Sequence, residues 1–115
     1  MAISEFEIKR CERALKGFID KRRPPAHIRS KLDFGFSIKG QSVEIFEIRP
    51  VWGDPTRKME RSFAKTTFVK SKQHWKVFWK RADLKWHKYD PSPIAKSIEE
   101  FVSIVDEDKF ACFFG

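Results

Sequence analysis

Apolar positions recur at helical spacing near the N-terminus, at strand spacing through the middle, and at helical spacing again near the C-terminus. The first stretch opens at Ser4 with Glu7 three residues on, a capping box in which each side chain satisfies the other residue's backbone N–H. Ile3 and Ile8 stand where a hydrophobic staple would sit. Ile8, Cys11, Leu15 and Phe18, with Ala14 and Ile19 beside them, make one apolar stripe of a helix. Lys21-Arg22-Arg23 suit its C-terminal end, and Pro24-Pro25 forbid continuation.

The period then drops to two. Leu32, Phe34, Phe36 and Ile38 alternate with Lys31, Asp33, Gly35 and Ser37, which predicts a half-buried strand. Lys39-Gly40-Gln41-Ser42 predicts a turn, and Val43 to Arg49 the returning strand of a hairpin. Phe46 and Ile48 are out of phase with Val43 and Ile45, so a bulge or apolar contact on both faces is expected. Arg49 to Pro55 reads as a loop of turn formers. Three further strands are expected over 62–70, 75–80 and 84–89, with Trp75, Val77 and Trp79 on one face. Connections this short require antiparallel neighbours. Ser92 then serves as N-cap, with Pro93 in the first turn, for a second helix. Its stripe is Ile94, Ile98, Phe101, Val102 and Val105. The tail from Phe110 to Gly115 is too apolar to float free. The expected fold class is therefore α+β: an N-terminal helix, a five-stranded antiparallel meander and a C-terminal helix, both helices on one sheet face.

At 115 residues this reads as a single domain, 1–115. Twelve Phe and four Trp supply large buried areas, which argues against disorder. No basic leader precedes an apolar run, and no stretch is long enough to span a bilayer. A cytoplasmic protein with no membrane partner is the expectation. Cys11 and Cys112 read as two free thiols, and they share no ligand spacing with His27, His74 or His87. No metal and no cofactor is expected.

The net charge is +8, and it is localised. Between Arg57 and Lys88 eleven Lys or Arg stand against only Glu60 and Asp83. Such asymmetry fits an anionic partner such as nucleic acid, or equally a solvated face whose lysines discourage edge pairing.

Three motifs stand out: Arg49-Pro-x-Trp-x-Asp-Pro55, Trp75-x-x-x-Trp79, and Asp83-Leu-Lys-Trp-His-x-Tyr89. Pro24-Pro-x-His-Ile-Arg29 and Cys112-Phe-x-Gly115 accompany them. In these the chain resembles, over nearly its whole length, a bacterial family catalogued as domain of unknown function 3024. The resemblance implies a small cytosolic bacterial protein of the kind sometimes carried on mobile gene cassettes. It implies no activity, ligand or catalytic residue.

The densest chemistry lies between Trp75 and Tyr89, where cations and aromatics interleave as in single-strand binders. With the Trp face packed inward, the expected binding surface comprises Lys76, Phe78, Lys80, Arg81, Lys85, His87, Lys88 and Tyr89. The lysines and Arg81 would meet phosphates, while Phe78, His87 and Tyr89 would stack. Arg49, Trp52 and Asp54 form a possible anion pocket, with internal pairing of the loop as the alternative. Asp83-x-Lys85 with Glu47 or Asp54 would suit a metal-dependent nuclease, although such a tripeptide is common by chance. Phe110, Phe113 and Phe114 would suit a homodimer interface or the chain's own core. A non-enzymatic binding module for nucleic acid or another polyanion is the favoured reading. A protein-interaction or homodimeric domain with incidental charge comes second, and the nuclease third.

Overall fold

The computed structural model describes residues 3–109 together with 112 and 113. Helix α1 runs Glu5–Arg22. Ser4 caps it, its Oγ accepting the Glu7 N–H at 3.2 Å. Six strands follow: β1 Asp33–Lys39, β2 Ser42–Val51, β3 Asp54–Val69, β4 His74–Lys80, β5 Trp86–Lys88 and β6 Ile94–Ala95. Helix α2, Ile98–Glu107, closes the order.

The sheet runs β1-β2-β3-β4-β5, and every pairing is antiparallel. The last two strands share one neighbour: β5 pairs with the end of β4 and β6 with its start. Ile94 and Ala95 are therefore strand, and α2 begins later than expected. Its N-cap is Ser97, whose Oγ accepts the Glu100 N–H at 3.1 Å, and not Ser92.

The expected loop from Arg49 to Pro55 is a hairpin tip. β2 continues to Val51, Val51 pairs with Asp54, and only Trp52 and Gly53 turn the chain. Gly53 takes φ +84, which a side chain would strain. The turn formers are accommodated by a register shift, because Pro50 next pairs with Lys58. β3 is accordingly 16 residues long.

The phase change at Phe46 has both expected causes. Ile45 pairs with Ala64 but Phe46 with Ser62, so Phe63 is the extra residue of a bulge in β3. Phe46 also lies on the face opposite Ile45, across from Gly35. A Cβ on Gly35 would come within 2.6 Å of the Phe46 ring.

One face of the sheet packs under both helices. Val43, Ile45, Thr66, Trp75 and Val77 are buried there against Cys11, Leu15 and Phe18 of α1 and Ile98, Phe101 and Val105 of α2. Each large apolar side chain so buried contributes on the order of 1.5–3 kcal/mol. Ion pairs join the helices across their solvent side: Arg10 with Glu99 at 2.7 Å, Lys21 and Arg22 with Asp106 at 2.9 and 2.8 Å.

Candidate nucleic-acid interface

The other face of the sheet carries no helix, and register decides what it presents. In an antiparallel pair, directly opposite residues point the same way. Phe78 stands opposite Lys88, and Lys80 opposite Trp86. Across β3, Lys65 stands opposite Phe78. This outer face therefore gathers Lys65, Lys76, Phe78, Lys80, Trp86 and Lys88 from three strands.

The cations are held by the rings. Lys80 Nζ lies 4.9 Å from the centre of the Trp86 ring and Lys65 Nζ 5.7 Å from it. Lys65 Nζ is also 5.9 Å from the Phe78 ring. Cation–π contacts of this kind are worth about 0.5–1 kcal/mol at exposed sites. Glu44 stands directly opposite Lys65 in β2, yet no ion pair joins them. Among the described residues no carboxylate lies within ion-pairing distance of Lys65, Lys76 or Lys80. Two ammonium groups thus share one ring with no counter-charge paired to either.

The expected surface is only partly realised. Lys76, Phe78, Lys80 and Lys88 lie on the outer face as expected. Trp79 pairs with His87, so His87 belongs to the helix side. There its Nε2 meets Asp83 Oδ2 at 2.8 Å. Tyr89 continues that face: its N–H donates to the Val77 carbonyl, its ring lies 4.8 Å from Phe113, and it is 2% exposed. Tyr89 is a core residue and has no ring free to stack. The Arg81 guanidinium sits over Trp79 at 5.6 Å, again away from the outer face. Lys85 belongs to the turn before β5, its carbonyl accepting the Arg81 N–H.

Trp86 and Lys65 were missed. The expected strand over 84–89 is shorter, Trp86–Lys88, because Leu84 at φ +63 and Lys85 belong to the turn from Arg81, and that turn fixes which face each alternating set joins. The register pairs even-numbered residues with even-numbered ones, so Trp86 shares the face of Lys80. Lys65 needed only the alternation of β3 carried across to β4.

The other candidates are dispersed. Arg49 binds Glu47 at 3.1 Å, and Asp54 accepts the Thr56 hydroxyl at 2.6 Å. Trp52 is 97% exposed at the turn. The three residues thus make separate contacts. Arg49 instead lines a cleft of about 1020 Å³ on the helix side, with Phe34, Met59, Arg61 and Leu84.

The acids of the nuclease reading are also engaged separately. Hydrogen bonds from the Lys85 N–H and from His87 hold the Asp83 carboxyl below its ordinary range, while Glu47 and Asp54 serve the contacts just named. Among the described residues no group of three His, Cys, Asp or Glu is placed to hold a metal ion. Phe113 is 6% exposed and packs on Tyr89, completing this chain's own core. Phe110 and Phe114 lie outside the described residues.

The family model described as Domain of unknown function (DUF3024) matches residues 3–115. The chain belongs to this family. No curated protein and no solved structure matches it. For this DUF3024 chain, then, function rests on the geometry of its own residues. Among the described residues no helix is long and apolar enough to cross a membrane.

Proposed function

We propose that this DUF3024 protein is a binding module whose outer sheet face holds a nucleic acid through its phosphates. One observation carries the reading: Lys65 and Lys80 are gathered over the Trp86 ring with no acid among the described residues paired to either. Gathering like charges without a partner costs energy in the free protein, and a phosphate between them would offset that cost. Lys76 and Lys88 extend the row on the neighbouring positions of the same face. The rings act as the floor that positions the ammonium groups, so contact is expected to be with backbone phosphates and not to depend on base sequence.

The test is fluorescence anisotropy with labelled single-stranded DNA, duplex DNA and RNA across a salt series. Affinity should fall steeply with salt, the logarithmic slope counting roughly 0.7–0.9 for each phosphate neutralised. The double change Lys65→Glu and Lys80→Glu should abolish binding and reduce that slope. Lys9→Glu with Lys16→Glu alters net charge equally on the exposed side of α1 and should leave binding largely intact. Equal losses in both pairs would reduce the effect to net charge alone and remove the outer face from consideration.

A further inference from the structure

The β2–β3 hairpin ends in a feature that the outer face does not use. Trp52 stands at its apex with 97% of its surface exposed, the most exposed large apolar side chain among the described residues. The apex is held by local bonds. Val51 pairs with Asp54 across the turn, and the Asp54 carboxylate accepts both the N–H and the hydroxyl of Thr56. Lower down the arm, Lys58 Nζ donates to the Ser30 carbonyl at 2.5 Å and ties β3 to the segment before β1. The ring is therefore presented on a braced arm.

The surroundings of the ring say what would cover it. Gly53, Asp54 and Thr56 beside it are small or polar, so among the described side chains the ring is not part of a contiguous apolar patch of the size a protein interface needs, about 800 Å² on each partner. An anionic lipid surface would have to accept the Asp54 carboxylate along with the ring. An unpaired base requires neither. It offers a single flat face, and an exposed aromatic ring offers the matching one. Arg57, a few residues past the tip and exposed, has no acid paired to it among the described residues and would meet the adjoining phosphate.

The arm is also the right length. From Glu44, which stands opposite Lys65, to Trp52 the strand covers about 26 Å at roughly 3.3 Å per residue. That span corresponds to about eight stacked nucleotides at roughly 3.4 Å each.

We infer that Trp52 is a base-stacking residue, and that the ligand of this protein is single-stranded nucleic acid held by phosphates at the outer face and by a base at the hairpin tip. The inference rests on the outer-face reading and narrows it from nucleic acid in general to single strands that offer an unpaired base.

The experiment uses the full chain and a single-stranded DNA of about twelve nucleotides, long enough at roughly 3.4 Å each to reach both places. A 2-aminopurine at successive positions reports stacking by loss of its fluorescence. The wild type should quench it at one end of the strand. Trp52→Ala should abolish the quenching and weaken DNA binding by about 5- to 150-fold, the range for one base–aromatic stack, while heparin binding stays unchanged. Trp52→Phe should restore part of both signals.

DNA binding that is indifferent to Trp52→Ala overturns this inference alone. Equal weakening toward DNA and heparin also overturns it, because heparin has no base. Loss of binding to phosphatidylserine vesicles, without loss of quenching on DNA, would assign the ring to a lipid surface and overturn it as well. A wild type that binds neither DNA nor heparin at low salt sinks the outer-face reading and this inference together.

Discussion

Residue chemistry in this protein is governed by which side of the sheet a group meets. Cys11 is wholly buried between α1 and the sheet, and burial pushes its thiol up to about 12. Cys112 is half-buried, and burial raises it too, by less. The thiolate is the reactive form, so neither cysteine behaves as an activated nucleophile. At neutral pH a thiol reagent should leave Cys11 unmodified in the folded protein and label it only after unfolding in denaturant. Mass spectrometry of the labelled peptides reads this directly. Rapid native labelling of Cys11 would mean that the helix layer opens readily. Tyr89 makes the same point for an aromatic. Its composition-level promise as a stacking ring ends once register puts it under α2's side of the sheet, 2% exposed. Trp86, one of its near neighbours in sequence, sits on the opposite face and becomes the floor of the cation cluster.

At the scale of elements, the sequence was most legible where one signal acts alone. The Ser4 cap, the stripe of α1 and the β1 strand each follow from local spacing, and each is found, with Phe34, Phe36 and Ile38 packed against the core. Misreadings arose where two signals compete. Ser92-Pro93 has the pattern of a helix start, yet Pro93's carbonyl accepts the Val77 N–H and Ile94 pairs with Lys76. Pairing with the free edge of β4 outweighs the local helix signal, and α2 waits for the next serine. Pro, Gly and Asp between Arg49 and Pro55 signal a loop, but long strands can carry such residues at a bulged tip. The expected outer face is realised only in part for a third reason. Strand alternation gives two sets of residues, and only the length of the turn says which set joins which face. The reassigned cap gives a sharp test. Ser97→Ala should lower stability by about 1 kcal/mol, since it removes the acceptor for the Glu100 N–H. Ser92→Ala, outside the helix, should stay within about 0.5 kcal/mol. Urea unfolding of the two variants compares them; equal losses would restore the earlier start.

The whole molecule is electrically two-sided, and its response to acid follows from that. Three carboxylates are paired with cations near the helices: Asp33 of β1 with Arg23, Glu99 of α2 with Arg10, and Asp106 of α2 with Lys21 and Arg22. In each case hydrogen bonding from the cation holds the acid below its ordinary value, 3.8 for the two Asp and 4.5 for Glu99. A depressed folded-state value means that the unfolded chain binds protons first. The stabilisation is therefore complete above the ordinary values and is lost as pH falls through the lower, folded-state ones. Acid should thus loosen the clamp between α1 and α2 before it alters the outer face. Asp106→Asn isolates the effect at the residue that holds two cations. The variant should be less stable than the wild type at neutral pH by about 1 kcal/mol, the upper end for a partly exposed pair. The gap should shrink as pH drops below 3.8, because the wild-type carboxyl then becomes neutral as well. Thermal unfolding of both proteins at a series of pH values measures it. A gap that persists unchanged at low pH would show that Asp106 acts through packing or its role at the end of α2, and not through its charge.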